Sequence, residues 1–146
     1  MKRREFKQLQ SQADIEAGFE LMRQLRPQLG DLDSFAQQID RQSQQGYRLS
    51  GLWQDEKLAG LIGFRESENM LYGRHLYVDD LVVAVSLRNS GLGADLLDKV
   101  RDEAKRLDCS FIVLDTSLQK PMAQRFYYRE GLLATGMRFV QKLGPT

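Results

Sequence analysis

The sequence predicts an α+β fold: a mixed, mostly antiparallel sheet with helices on both faces. Three observations carry that prediction. Between Tyr47 and Val85, apolar stretches of strand length alternate with short polar turns, the pattern of an antiparallel meander. The last stretch runs through a glycine loop, Arg88 to Gly93, into a helical pattern with Leu96, Leu97, Val100, Ala104 and Leu107 near one face. A second apolar strand, Ser110 to Asp115, follows that helix. Strand, helix and strand at this spacing form a right-handed parallel crossover.

The elements follow in order. Glu5 to Gln10 alternates weakly around Phe6 and Leu9, as a first edge strand would. Ser11-Gln12-Ala13-Asp14 has the form of a capping box, with Ser11 as N-cap and Asp14 at the third helical position. Ile15, Phe19, Met22 and Leu25 then recur at helical spacing until Pro27 stops the run. Leu32, Phe35, Ala36 and Ile39 predict a second, shorter amphipathic helix ending before Gly46. Tyr47 to Trp53 and Leu58 to Arg65 form a hairpin across the polar turn Gln54 to Lys57. Glu66 to Asn69 is read as the next turn, and a third strand runs from about Leu71 to Val85. After the parallel crossover, Lys120 to Arg129 is helical and ends at Gly131 as a C-terminal cap. Thr135 to Lys142 alternates enough to be a last strand.

With 146 residues the chain is long enough for one real core, and residues 1–146 are read as a single domain. A net charge of +1 gives no field that points to nucleic acid or an anionic membrane. No apolar run approaches the length of a membrane span, and the basic start, Met1-Lys2-Arg3-Arg4, lacks the apolar core of a signal peptide. One cysteine, Cys109, and one histidine, His75, exclude an internal disulfide and argue against a metal site. These features fit a cytoplasmic protein with neither nucleic acid nor membrane as partner.

The glycine loop is the first candidate site. A nearly unbroken β-branched run, Leu81 to Val85, suits a strand buried on both faces. Arg88-Asn89-Ser90-Gly91-Leu92-Gly93 then lets the backbone turn sharply into a helix N-terminus, whose N–H groups and dipole favour a phosphate. The dinucleotide fingerprint fails because Leu96 stands where its third glycine belongs, and no Gly-Lys-Ser/Thr completes a Walker loop. Spacing alone leaves two readings: a phosphate cradle, or a strand-to-helix turn with glycines for geometry.

Arg88-x-x-Gly91-x-Gly93, after a strand ending Val78-Asp79-Asp80-Leu81-Val82-Val83, resembles the acetyl-CoA pyrophosphate loop of the GNAT superfamily of N-acetyltransferases. A second block, Ala123-x-x-Phe126-Tyr127-x-x-x-Gly131-Leu132, is similar to the family's A-x-x-F-Y-x-x-x-G-F signature. Both stand in the family's order, and the resemblance covers nearly the whole chain. It implies a GNAT fold, in which the strand before the loop splays from its parallel neighbour and the pantetheine arm enters the gap. On that analogy Leu81, Val82 and Val83 contact the pantetheine, Arg88 lies beside the pyrophosphate, and the N–H groups of Asn89, Ser90, Gly91, Leu92, Gly93 and Ala94 cradle it. Two positions depart from the family. Lys120 stands where asparagine is common, losing an amide contact but offering a phosphate partner, and Leu132 replaces phenylalanine.

The implied chemistry is acetyl transfer from acetyl-CoA, as cosubstrate, to a primary amine of a small molecule or protein by direct attack, with no metal. The amine, with a pKa of about 10.4 if lysine-like, must lose a proton before it attacks. Tyr127 occupies the family's general-acid position; read from helical spacing alone, Phe126, Tyr127 and Tyr128 are core and rim aromatics. Asp79, in a Tyr77-Val78-Asp79-Asp80 context similar to the family's Y-x-E-D, is the candidate base, through water because aspartate is short. Asp79 and Asp80 are expected on opposite faces of the strand. The other reading of Asp79 is a polar strand residue satisfied by backbone or an arginine. His75, two strand steps earlier on the same face, is a second candidate base. The acceptor pocket is expected from the first two helices, their loop (residues 28–34) and residues 66–74, with Asp31, Asp33, Glu66 and Glu68 either attracting a cationic amine or simply solvated. Homodimerisation is common in the family. The alternative function is a non-catalytic acetyl-CoA sensor or interaction module of the same fold.

Overall fold

The computed structural model describes residues 3–145. Its elements are β1 (Arg4–Gln8), α1 (Gln12–Leu25), α2 (Leu32–Ser43), β2 (Tyr47–Gln54), β3 (Lys57–Asn69), β4 (Gly73–Val83), α3 (Leu92–Arg106), β5 (Phe111–Leu114) and α4 (Pro121–Arg129). The sheet runs in sequence order from β1 to β5. The first three pairings are antiparallel, and β4 with β5 is parallel. The chain divides into two compact units after Leu114.

In the first unit the helices take opposite faces of the sheet. Ile62, Phe64, Leu76 and Val78 bury one face against Leu92, Leu96 and Val100 of α3. On the other face Leu49, Leu61 and Val82 meet Phe19 and Met22 of α1 and Phe35 of α2. The start of α1 is sealed by the capping box the sequence predicts, and that of α2 by Asp31, which the sequence reading takes for a loop carboxylate. Ser11 accepts a hydrogen bond from the Asp14 N–H while the Asp14 carboxylate accepts from the Ser11 N–H, and Asp31 accepts from the Ser34 N–H. These contacts satisfy donors that a helix leaves open at its first turn.

The β3–β4 hairpin is longer than its apolar pattern. Residues 66–69, read from sequence as a turn, continue β3, and Glu66 pairs with Leu76 and Asn69 with Gly73. The turn lies at Met70–Tyr72, where the Asn69 side chain accepts from the N–H groups of Leu71 and Tyr72. Polarity marks an exposed ribbon here, because ladder bonds do not need buried side chains.

One irregularity sets the geometry of β4. Gly63 pairs with Asp80 and Phe64 with Val78, so Asp79 is the extra residue of a β-bulge. Before it, Leu76 and Val78 face α3; after it, Val82 faces α1 and α2. The bulge therefore reverses the in–out alternation along the strand.

The second unit holds α4 and the residues after it. Gly131, at φ +92°, closes α4, its N–H bonding to the Tyr128 carbonyl and that of Leu132 to the Tyr127 carbonyl. The last strand expected over Thr135 to Lys142 is absent: the segment has no regular structure. Alternation supplies side-chain preference only, and a strand exists only where an edge accepts its ladder.

Candidate active site

The site is built around the second half of β4. β5 pairs with β4 only over His75 to Val78, so β4 runs on alone on that side from Asp79 to Val83. The Ala84 N–H bonds to the Ala59 carbonyl. Alternate residues of an antiparallel pair turn both backbone groups to the partner, so this register gives the amides of Val82 to β3 and turns those of Leu81 and Val83 to the other edge. The Val83 carbonyl accepts from the Arg88 Nε at 3.4 Å on that edge. Val82 is a correction to the sequence reading: its side chain is 5% exposed in the core and its backbone is spent on β3.

The glycine loop follows directly. Asn89 at φ +65° and Gly91 at φ +85° hold left-handed backbone, and Gly91 is the N-cap of α3. No side chain caps that helix. Ser90 Oγ donates to the Leu87 carbonyl, and the Leu92 side chain is buried in the core, so Leu92 offers the loop only its N–H. Arg88, Asn89 and Ser90 are exposed; Gly93 and Ala94 are half-buried. An Asp95–Arg4 ion pair engages the one carboxylate in the first helical turn. Uncapped N–H groups behind a left-handed glycine, with an exposed guanidinium ahead of them, fit a pyrophosphate.

The bulge shapes the second half of the site. Asp79 and Asp80, expected on opposite faces, both line one cavity of about 250 Å³. Met22, Leu29, Phe35 and Ile39 form its apolar wall, and Arg26, Tyr47 and three glutamines complete it. Asp79 is gripped by Arg65 in a two-pronged pair, 3.1 Å on each oxygen. Burial pushes its carboxyl above the ordinary range, against the opposing pull of Arg65. Asp80 takes a hydrogen bond from the Tyr47 hydroxyl at 2.7 Å and an ion pair with Arg26 at 3.0 Å. Arg26 also donates to the Asp79 carbonyl at 2.9 Å, so the residue that ends α1 bridges to the bulge. Burial, and then the Asp80 charge, push the Tyr47 phenol far above its usual range and keep it a donor. Tyr47 reaches Asp80 over Gly63, where a Cβ would sit 2.0 Å from the phenol oxygen.

Other candidates lie elsewhere. His75 is 4% exposed, hydrogen-bonded through Nδ1 to the Gly73 carbonyl at 2.9 Å, and does not line the cavity. Asp31 is spent on the α2 cap and Glu66 on Arg74, so neither joins the cavity, nor do Asp33 and Glu68. α1 lines this cavity through Met22, the loop after it through Gln28 and Leu29, and α2 through Phe35 and Ile39, whereas no residue of 66–74 does. In the second unit, Lys120 is the exposed N-cap of α4, and Tyr127 is half-buried on that helix, where burial raises its phenol pKa. Sequence reading missed Arg26, Tyr47 and Arg65. A signal for Tyr47 existed in Gly63: a glycine inside a strand marks close approach of another group.

A sheet whose parallel pair parts beside a glycine loop and a helix N-terminus defines the architecture of a CoA-dependent acyltransferase. Comparison with known proteins agrees. The profile described as the acetyltransferase (GNAT) family matches residues 15–132. An uncharacterised N-acetyltransferase of Bacillus subtilis, YhdJ, is 31% identical over 122 residues, covering 83% of this chain and 85% of its own. An aminoglycoside N-acetyltransferase, AAC(6')-Iy, solved with CoA, superposes at a TM-score of 0.85 with 16% identity, over 98% of this chain and 96% of its own. A protein of Bacillus halodurans described as a transcriptional regulator gives 0.84 with 17% identity, over 97% of this chain and all of its own. This chain belongs to the acetyltransferase (GNAT) family and is an acetyl-CoA-dependent N-acetyltransferase.

Proposed function

We propose that this N-acetyltransferase takes its acceptor amine into the cavity at the β4 bulge, with the glycine loop and β4 edge holding the acetyl donor. The carrying observation is that Asp79 and Asp80 share one cavity on the stretch of β4 that has left β5 behind. Bound acetyl-CoA supplies an acetyl group activated as a thioester. Leu81 and Val83 turn amide groups to the edge where the cosubstrate arm would lie. Arg88 and the N–H groups of residues 89–94 hold the pyrophosphate, and Lys120 is assigned to a phosphate by its place in the second signature.

Asp79 is the proposed base. Its carboxylate takes the amine proton through water as the nitrogen forms its bond to the acetyl carbon, and Arg65 keeps the carboxylate oriented. Tyr127, by its place in the signature, returns a proton to the sulfur as the carbon–sulfur bond breaks. The ledger closes with an amide and a thiol: Asp79 passes its proton to solvent, the Tyr127 phenolate takes one back, and an acceptor that arrives as an ammonium gives its first proton to solvent before it attacks. No metal enters this scheme, and among the described residues no cluster of three or more His, Cys, Asp or Glu is arranged to hold one.

The acceptor is a primary amine of a small molecule or protein. Homodimerisation is proposed too, supported by apolar side chains exposed after α4. A cytoplasmic location fits the lone cysteine; among the described residues no helix is long and apolar enough to cross a membrane. The test of cosubstrate placement is calorimetric titration of acetyl-CoA into the wild type and Gly91→Asp. The variant is expected to bind at least tenfold more weakly, because a carboxylate then faces the pyrophosphate. Equal affinities would move the cosubstrate out of the loop.

A further inference from the structure

We propose that the cavity selects small zwitterionic acceptors, amines that also carry a carboxylate or phosphonate, and that Arg26 is the residue that reads the anionic group. This rests on the cavity being the acceptor site and goes beyond it in naming the acceptor class.

Charge balance is the first argument. Two carboxylates, Asp79 and Asp80, line the cavity, and each is matched by a guanidinium, Arg65 and Arg26 respectively. The site is therefore neutral without its acceptor. The aspartate side chains are only 19% and 14% exposed, so an added net charge there would be poorly screened. A simple ammonium would leave one positive charge unmatched. A zwitterion whose acid carries a single negative charge adds none.

The second argument is exchange of partners. Arg26 is held by one aspartate oxygen and one carbonyl, and its side chain is 40% exposed. Its Nη1 donates to no protein group among the described residues, so a planar donor is left for an incoming anion. Asp80 is anchored independently by Tyr47, so it stays in place when Arg26 turns to a ligand. An acceptor can thus present its ammonium to the two aspartates and its acid to Arg26. Asp79, bound through both oxygens by Arg65, completes the polarity of the site without moving. Size is the third argument: about 250 Å³ lies below the roughly 300–1,000 Å³ of drug-sized ligand sites and suits a small acceptor.

The test uses acceptors matched except for the acid: β-alanine against propylamine, and 2-aminoethylphosphonate against the same propylamine. The wild type is expected to favour at least one acid-bearing amine by tenfold or more in kcat/KM, and the two arms tell carboxylate from phosphonate. In Arg26→Met that selectivity is expected to fall to about one through KM, and Arg26→Lys is expected to restore part of it. No preference in the wild type, or selectivity unchanged in Arg26→Met, would overturn the proposal. Titration of the same amines into the protein–CoA complex separates the two levels of the argument. Arg26-dependent binding without turnover would retain the acceptor class and reject the catalytic assignments. Turnover of acid-free amines at equal efficiency would do the reverse.

Discussion

At the residue scale, two carboxylates show opposite couplings between pH and folding. Burial raises the Asp79 pKa above its ordinary 3.8 in the folded state, so the folded protein holds that proton more tightly than the unfolded chain. Its favourable contribution is complete below 3.8 and is lost as pH rises through the folded value. Wild-type stability relative to Asp79→Asn is therefore expected to fall across that window in urea melts. The same shift places the acid limb of the kcat/KM profile above the ordinary carboxylate range. Asp79→Asn is expected to lower turnover by about a hundredfold or more, the usual scale for a lost base, and to flatten that limb. Glu103 goes the other way. Hydrogen bonding from Arg106, helped by the charge of Arg48, lowers its pKa below 4.5 despite partial burial. Its contribution is present above 4.5 and lost as pH falls through the lower folded value, so wild-type stability relative to Glu103→Gln is expected to rise with pH there. A rising curve for Asp79→Asn would contradict the first assignment, and a falling one for Glu103→Gln the second.

At the element scale, the bulge decides what the sequence could and could not tell. The glycine loop, the α3 face and the capping box were legible because each is local: Gly91, Leu96 and Ser11 announce themselves by type and spacing. Asp79 was legible as a site residue only through family resemblance. Its sharing of a cavity with Asp80 was not legible, because strict alternation assigns neighbours to opposite faces and a bulge is set by pairing with β3. Tyr47, Arg26 and Asp80 are 21 to 54 residues apart along the chain and meet only in the folded sheet. Gly63 is the element-level test of this arrangement. A methyl group there would come 2.0 Å from the Tyr47 oxygen, so Gly63→Ala must displace the phenol from Asp80 or shift β3. The expected cost is about 1–3 kcal/mol in chemical denaturation, the range for overpacking, with a fall in kcat/KM. A Gly63→Ala protein of wild-type stability and activity would show that the Tyr47–Asp80 bond does not organise the site.

At the scale of the whole molecule, the residues after α4 pose a question of assembly. Leu133, Met137, Phe139, Val140 and Leu143 are 74–88% exposed, and the first, second, third and fifth stand at odd positions, on one side of an extended chain. The alternation that predicted a strand over Thr135 to Lys142 is real in side-chain pattern and absent in pairing. A segment with strand chemistry and no ladder leaves its apolar side in water, which is costly for the isolated chain. A second copy supplies an identical segment, and two such segments pairing antiparallel about a two-fold axis would satisfy backbone and side chains together. Light scattering on a sizing column is therefore expected to give a dimer at micromolar concentration. Met137→Lys with Phe139→Lys, which puts like charges on the apolar side, is expected to shift it to monomer while leaving acetyl-CoA binding to the first unit's loop within threefold of wild type. A wild-type monomer at a hundred micromolar would remove the dimer. A double variant that stays dimeric would place the interface on another surface of the molecule.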